Sequence, residues 1–383
     1  MASNASLRNA QLADKLESWA QQLTDIAAGV RKESETLSLS REDHAKLTTT
    51  ANDILNTVKQ PQERLMESMI VMAQLAALRL FIKWKVFEMI PSSGSISYEK
   101  IATELNAEQT LITRLSWMLV STGVLGQVGT DQVAHTPASR LFVSSSPLSS
   151  LVESGFDNHL RALVFMPDYF DKYTLREPIG RRQTIHAFAA GNPDLTVWEH
   201  MHRDQPRMAS FMASMVAMAK NLPVIGPYDF TWLLSKSEES KDRMLVVDVG
   251  GGQGHALEVI LHATPGLPAS RCVIEDLEDV VQSSKAVATG ELAKAQFIAM
   301  DFHAEQPVKG KLELHCNRRR EVMNNPPSPI ASATDIFMAT LGGKERTLEN
   351  FQTIAAAAGL NIVETHRCKG SGIAVIECAK LQV

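Results

Sequence analysis

A change of period at Met244 narrows what this chain can fold into more than any other feature. Helical spacing of apolar residues dominates before it, and short apolar runs alternating with helical stretches follow. Alternation of that kind builds a parallel sheet with crossover helices. Met244 to Val249, MLVVDV, is a near-continuous apolar run, as expected of a strand covered on both faces. It runs into Gly250-Gly251-Gly252-Gln253-Gly254 and then a helix from His255 to His262. Glycines at a strand-to-helix turn let the backbone approach a ligand closely, and the helix start offers unpaired N–H groups. A nucleotide-like ligand is therefore expected over this turn.

The glycine spacing discriminates between ligands. A dinucleotide fingerprint, G-x-G-x-x-G, would put glycine where His255 or Gln253 stands, so an NAD-dependent dehydrogenase is disfavoured. What the chain has is D-x-G-x-G-x-G, the form found in methyltransferases. Asp248, at the strand end, is placed to orient the loop or to meet a ligand ammonium. A second predicted strand, Arg271 to Ile274, ends in Glu275 and Asp276, where an acid pairs with ribose hydroxyls. A third, Ala295 to Met300, ends in Asp301 and Phe302, suited to an adenine amine and its ring face. Each acid alone could merely cap a helix; three in register make the ligand reading the stronger one.

At 383 residues the chain is long enough for two domains. Ser6 to Gly29, Ser40 to Lys59 and Gln62 to Met89 read as amphipathic helices. Met66 to Ile90 is the most apolar stretch, but Glu67, Arg79, Lys83, Lys85 and Glu88 interrupt it, so it is read as a buried or interface helix rather than a membrane span. Ser97 to Leu105 and Glu108 to Thr122 make a helix-turn-helix, and Val124 to Val128 with Gln132 to His135 a two-stranded wing. The second helix carries one basic residue, Arg114, beside an apolar face of Leu111, Leu115, Leu119 and Val120. Phosphate contacts supply most DNA affinity, and the formal charge is −5, so a winged-helix regulator is disfavoured and no nucleic acid partner is expected. Ser150 to Pro223 reads as wholly helical and rich in methionine and histidine, including His200 and His202. The four cysteines show no CxxC spacing, which indicates neither a zinc site nor a disulfide framework, and the N-terminus lacks a secretory h-region. A cytoplasmic protein follows. The expected division is a helical and winged-helix dimerisation domain over 1–150, a helical linker and pocket segment over 151–238, and a ligand-binding domain over 239–383.

The segments DVGGGQGH, VIEDLEDVV, MDFHAEQPVKG and GGKERT, together with the wing, resemble the S-adenosylmethionine-dependent O-methyltransferases of the winged-helix, caffeate-methyltransferase type. The resemblance implies a Rossmann-like α/β methyltransferase domain behind an all-helical dimerisation domain, S-adenosyl-L-methionine as cofactor, a homodimer, and a phenolic or polyketide-like acceptor. It also implies that Gly250, Gly252 and Gly254 line the cofactor, that Asp276 holds the ribose, and that Asp301 with Phe302 borders the adenine. Glu345, in GGKERT, matches the acid that steadies the family's catalytic histidine.

The resemblance breaks after Lys309-Gly310. Family members continue there into a strand ending Leu-His-Asp-Trp, whose histidine removes the acceptor proton. This chain reads KLELHCNRRREVMNNPPSPI, with His315 as the nearest histidine and Arg320 where the family has an acid. Parallel strands need a crossover of about a dozen or more residues. After an expected strand over Lys311 to Cys316, too few residues precede Pro326-Pro327, so the fourth crossover and the fifth strand are expected to be absent. The chain then comes either from a gene or transcript that lost coding sequence, or from a natural variant that uses the cofactor's charge for another reaction, such as a pericyclase or isomerase.

Overall fold

The computed structural model describes residues 2–32, 41–144, 146, 148–178, 180–221, 225–226, 228–301, 304–308, 315–320, 329–367 and 373–380. Three long helices open the chain, α1 (Ala2–Lys32), α2 (Arg41–Val58) and α3 (Pro61–Lys83). Pro61 sits in the first turn of α3 and Glu63 reaches back to the Gln60 N–H, which fixes where that helix begins. A single helix through Met89 was expected. Instead Lys85 takes a left-handed φ of 56°, and α4 (Val86–Met89) restarts beyond the break. The turn delivers Val86 and Phe87 into a core with Phe81, Ile101, Ile112 and Val133. The opposite end of α3 is bare, with Leu65, Met66, Met69 and Met72 all more than half exposed. By length and composition α3 could cross a bilayer, and 17% of its most apolar window is buried.

The wing follows as β1 (Ile96–Ser97), α5 (Tyr98–Leu105), α6 (Gln109–Ser121), β2 (Leu125–Val128) and β3 (Gln132–His135), with β3 antiparallel between β1 and β2. Ser97 Oγ caps α5 by accepting from the Lys100 N–H, and Asn106 closes it in the left-handed region. Of the expected apolar face of α6, Leu119 is buried and Leu115 and Val120 pack half-buried against the core, while Leu111 does not. Ile112, Ser116 and Leu119 are buried while Leu111 is exposed. α6 packs against α3, and its buried side includes the small Ser116.

Next come α7 (Leu148–Ser154), a π-helical turn over Gly155–Leu160, α8 (Arg161–Val164), α9 (Met166–Tyr173), α10 (Ile185–Ala189), α11 (Val197–His202) and α12 (Gln205–Asn221). This region is not the continuous helix expected. The chain leaves helix after Tyr173 and again after Ala189, and Thr184 and Thr196 cap the helices that resume.

α13 (Trp232–Glu239) precedes β4 (Val246–Val249), α14 (His255–Ala263), β5 (Cys272–Asp276), α15 (Glu278–Val287) and β6 (Gln296–Ala299). The three strands are parallel in the order β4-β5-β6, so their carboxyl ends share one edge. Leu233 of α13 joins Leu257, Ile260 and Ile274 in the core beneath them. A second three-stranded sheet holds β7 (His315–Arg320) and the closing pair β8 (Leu360–Arg367) and β9 (Ile373–Lys380), with β9 antiparallel to both. Between β7 and β8 lie α16 (Pro329–Thr340) and α17 (Leu348–Ala357).

Two expectations change here. A strand does stand beside the closing pair, but it continues past the expected end at Cys316 to Arg320, while residues 311–314 of the expected Lys311 to Cys316 lie outside the described residues. And β4 is half-buried rather than covered, with Val249 at 48% exposure, because it is an edge strand among the described residues. A strand between β4 and the second sheet is the element not found among them.

Candidate cofactor and acceptor site

The glycine turn is held from below by β5. Gly250 and Gly251 both donate their N–H to the Glu275 carbonyl, at 2.7 and 3.2 Å, and Gly254 donates to the Gly251 carbonyl at 2.8 Å. Gly250, Gly252 and Gly254 have φ of 72°, 53° and 79°, the left-handed region that favours glycine. A side chain at Gly254 would also collide with Ile274 and Leu292, whereas Gly250 and Gly252 face open space. The first is therefore needed for packing of helix on sheet, and the other two leave room above the turn.

Asp276 closes the turn. Its Oδ2 accepts from the Gly252 N–H at 2.9 Å and its Oδ1 from the Leu277 N–H at 2.8 Å. Its carbonyl accepts from Met300 N–H at 2.8 Å, which ties the end of β6 to the end of β5. Asp301 thus stands next to Asp276, half-exposed and 3.7 Å from the Arg181 guanidinium. Asp248 tucks under the turn with Oδ2 shut from solvent and without a hydrogen-bond partner. Burial, reinforced by the neighbouring Asp276 charge, pushes its carboxyl up to about 6. A Cβ on Gly251 would lie 2.8 Å from the Asp248 carboxyl, so that glycine makes the tuck possible.

Asp248, the three alternate glycines, Asp276 and Asp301 are thus brought together as the spacing predicted. Phe302 lies outside the described residues. His315 does not end a strand near this edge; it opens β7 opposite Cys378, and its side chain lies outside the described residues. Glu345 follows α16, its N–H donating to Asp335 Oδ1 at 2.8 Å.

Several contacts escaped sequence reasoning. Glu275 is fully buried and accepts from Gln306 Nε2 at 2.7 Å. His186, 3% exposed, and His159 each keep a buried Nδ1 without a partner, and His159 stacks on Phe337 of α16 at 4.9 Å between ring centroids. Burial, then the charge of Arg207, pulls His186 down to about 4, so it is neutral at physiological pH. Arg79 grips Asp157 with two nitrogens across 78 residues, joining α3 to the π-helical turn. That turn also borders an apolar cleft of about 370 Å³, lined by Leu160, Val164 and Phe165 with Arg161 and Arg207. None of these contacts has a local sequence signal, because each joins distant segments.

Comparison with known proteins places this geometry. The O-methyltransferase dimerisation domain matches residues 65–145, and the O-methyltransferase domain matches 173–312. The second match stops inside the rewritten stretch. Methyltransferase cfoD of Aspergillus candidus is 34% identical, covering 88% of this chain and 92% of that protein, and methyltransferase pynC of Aspergillus niger is 32% identical, covering 80% and 94%. The cfoD alignment runs over 372 positions yet takes in 88% of 383 residues, about 337. Roughly 35 positions of that alignment thus fall opposite gaps in this chain. Among solved structures, OxaC in complex with SAH and oxaline superposes with a TM-score of 0.79 at 19% identity, covering 96% of this chain and all of that one. LepI in complex with SAM superposes equally well, at 18% identity over 95% and 99%. With a matched dimerisation domain, a matched catalytic domain and a fungal relative aligned over most of both chains, this protein belongs to the S-adenosylmethionine-dependent O-methyltransferase family.

Proposed function

We propose that the acceptor is a phenolic or polyketide-like metabolite whose hydroxyl receives the methyl group, and that Asp248, Gly250, Gly252, Gly254, Asp276, Asp301 and Phe302 hold the cofactor. The observation that carries the reading is the closed turn: Asp276 bonded to the Gly252 N–H, over an Asp248 carboxylate oxygen with no partner of its own. The described residues fit S-adenosyl-L-methionine. The orphaned carboxylate faces the need of a methionine ammonium, the open space at Gly250 and Gly252 admits a nucleoside, and Asp276 retains lone pairs for ribose hydroxyls. When bound, the cofactor supplies an electrophilic sulfonium methyl. The chain's own work is to orient that group, to exclude water, and to take the acceptor's proton, since a phenol near pKa ~10 is a poor nucleophile at neutral pH. His315, the histidine nearest the place of the family's base, is the candidate for that proton, and Glu345, which matches the family's acid, is the candidate to steady it.

Calorimetric titration with S-adenosylmethionine, paired with mass analysis of a panel of phenols and polyketides, tests the reading. Binding together with a gain of one methyl is the expected result, and His315→Ala should slow that gain without changing cofactor affinity. An unaltered rate in His315→Ala removes it as the base. A second reading has its own support, since the base segment is rewritten and a chain described as a pericyclic reaction enzyme shares the fold at a TM-score of 0.79. In that reading the cofactor binds but no methylated product forms.

The bare face of α3 supports a homodimer, with Leu65, Met66, Met69 and Met72 buried against a second copy. Met69→Glu is expected to convert a dimer into monomer or aggregate by light scattering after size exclusion. A dimer that persists would move the interface to another surface.

A further inference from the structure

The C-terminal hairpin carries a second cluster that the methyl-transfer reading does not use. Glu364 of β8 stands directly opposite Glu377 of β9 in the strand register, and His366 lies two residues beyond Glu364 on the same face. This face is turned away from α17, because Ile376 and Cys378, on the alternate positions of β9, pack with Phe351 and Ala355 of that helix. Like charges directly opposite each other on antiparallel strands repel. A fold that keeps two glutamates in that register does best with a cation between them.

We infer that Glu364, His366 and Glu377 form a divalent-cation site that takes Zn²⁺. One donor atom from each side chain comes within 4.8 Å of the other two. His366 Nε2 is 2.8 Å from Glu377 Oε2, and His366 Nδ1 is 4.0 Å from Glu364 Oε1. Tetrahedral zinc with bonds of about 2.0–2.2 Å sets its ligands roughly 3.4 Å apart, so turning the exposed Glu364 carboxylate toward Glu377 and the Nε2 edge gathers the three donors around one ion. One imidazole with two carboxylates is a borderline donor set that suits zinc better than magnesium, and water completes the fourth position. His366 and Glu377 are largely sheltered, with side chains 20% and 19% exposed, while Glu364 reaches in from the solvent side at 66%. The edge of the imidazole is fixed by the Tyr228 ring, centroids 4.8 Å apart and nearly perpendicular. Tyr228 also accepts a hydrogen bond from Trp232 Nε1 at 3.1 Å, so an ion here clamps the hairpin to the segment that leads into α13. The absence of paired cysteines excludes only thiolate zinc sites and leaves this one open.

The competing account is an imidazolium that neutralises the two glutamates with no metal. Titration of the chelator-treated full chain with Zn²⁺, followed by calorimetry and thermal melting, separates the two. The expected result is one equivalent bound and a raised melting temperature, with affinity reduced at least tenfold in both His366→Ala and Glu377→Gln. Glu377→Gln keeps the shape of the side chain and its hydrogen-bond acceptor, so it reports the site even if His366→Ala folds poorly. Absence of binding overturns the proposal, as does equal binding by the two variants, which would mean adventitious sites. Because the readout is metal binding, it stands or falls independently of any methyl transfer.

Discussion

Asp248→Asn should make the cofactor-free protein more stable at neutral pH and a poorer binder of S-adenosylmethionine. The carboxyl titrates near 6 because burial and the adjacent Asp276 charge oppose its ionisation. Against an unfolded value near 3.8, that shift means the ionised group costs the fold on the order of 3 kcal/mol at pH 7. A neutral amide removes the penalty. It also removes the anion that would face a methionine ammonium, and a lost charge-assisted contact of about 1.5–3 kcal/mol weakens binding roughly 10- to 100-fold. The pH dependence carries the same signature. Asp248, with its pKa raised on folding, adds stability that is fully present below about pH 4 and is lost as pH rises through 6. His186, lowered to about 4, has the opposite sign: its contribution is present above the unfolded value near 6.5 and lost as pH falls toward 4. The two oppose each other between pH 4 and 6, so stability should fall more steeply in Asp248→Asn than in the parent protein as pH drops from 6 to 4. Denaturant melts at pH 7 and pH 4.5, with titration of S-adenosylhomocysteine, read all three effects. A variant no more stable than the parent at pH 7 would mean that Asp248 is solvated or paired.

What was legible in the sequence follows from range. The glycine turn, the acids at the ends of β5 and β6, and the wing are written in contiguous residues, since a strand period, a left-handed glycine and a cap are local properties. The bond from Gly252 to Asp276 spans 24 residues yet was foreseeable, because consecutive parallel strands place their carboxyl ends side by side. The Arg181 to Asp301 pair, the Arg79 grip on Asp157 and the His159 stack on Phe337 join segments with no regular geometric relation, so nothing short of the fold reveals them. On α6 the apolar pattern gave Leu115, Leu119 and Val120 correctly but missed the buried Ile112 and Ser116 and wrongly included Leu111, because helical period constrains the width of a stripe better than its edges. The exposed edge of β4 has a different origin. MLVVDV has the composition of a central strand, and the neighbour such composition implies belongs to the stretch that departs from the family. Hydrophobicity thus records the sheet this strand is suited to, while exposure records the sheet present among the described residues. The same departure explains why the cofactor half of the site could be built from local rules and the proton-accepting half could not: the first lies on β4, β5 and β6, and the second falls on the stretch that departs from the family.

Gly254→Ala is expected to destabilise the protein by about 2–5 kcal/mol. The added Cβ would stand 2.6 Å from Ile274 Cδ1 and 3.1 Å from Leu292 Cδ1, at a residue whose φ of 79° already strains any side chain. Left-handed backbone costs a non-glycine residue roughly 1–2 kcal/mol, and overpacking a close-packed core adds about 1–3 kcal/mol. The obstructing atoms are ends of side chains, which could swing aside on a surface, but Ile274 is fully buried within the core under α14. Relief should therefore come from shortening that side chain. Ile274→Val removes the nearest atom and by itself costs about 1 kcal/mol, yet combined with Gly254→Ala it should cost at least ~1 kcal/mol less than the two changes summed. Gly252→Ala supplies the contrast. No atom lies within 4 Å of its added methyl, so it pays only the backbone strain, and the methyl enters the space that the turn leaves for a ligand. Its stability should fall by about 1–2 kcal/mol while its affinity for S-adenosylmethionine falls at least tenfold. Denaturant melts and cofactor titrations on the three single variants and the double variant measure these separately. Simple additivity of Gly254→Ala with Ile274→Val, or intact binding by Gly252→Ala, would mean that the glycines serve the chain's path alone and that the cofactor rests elsewhere.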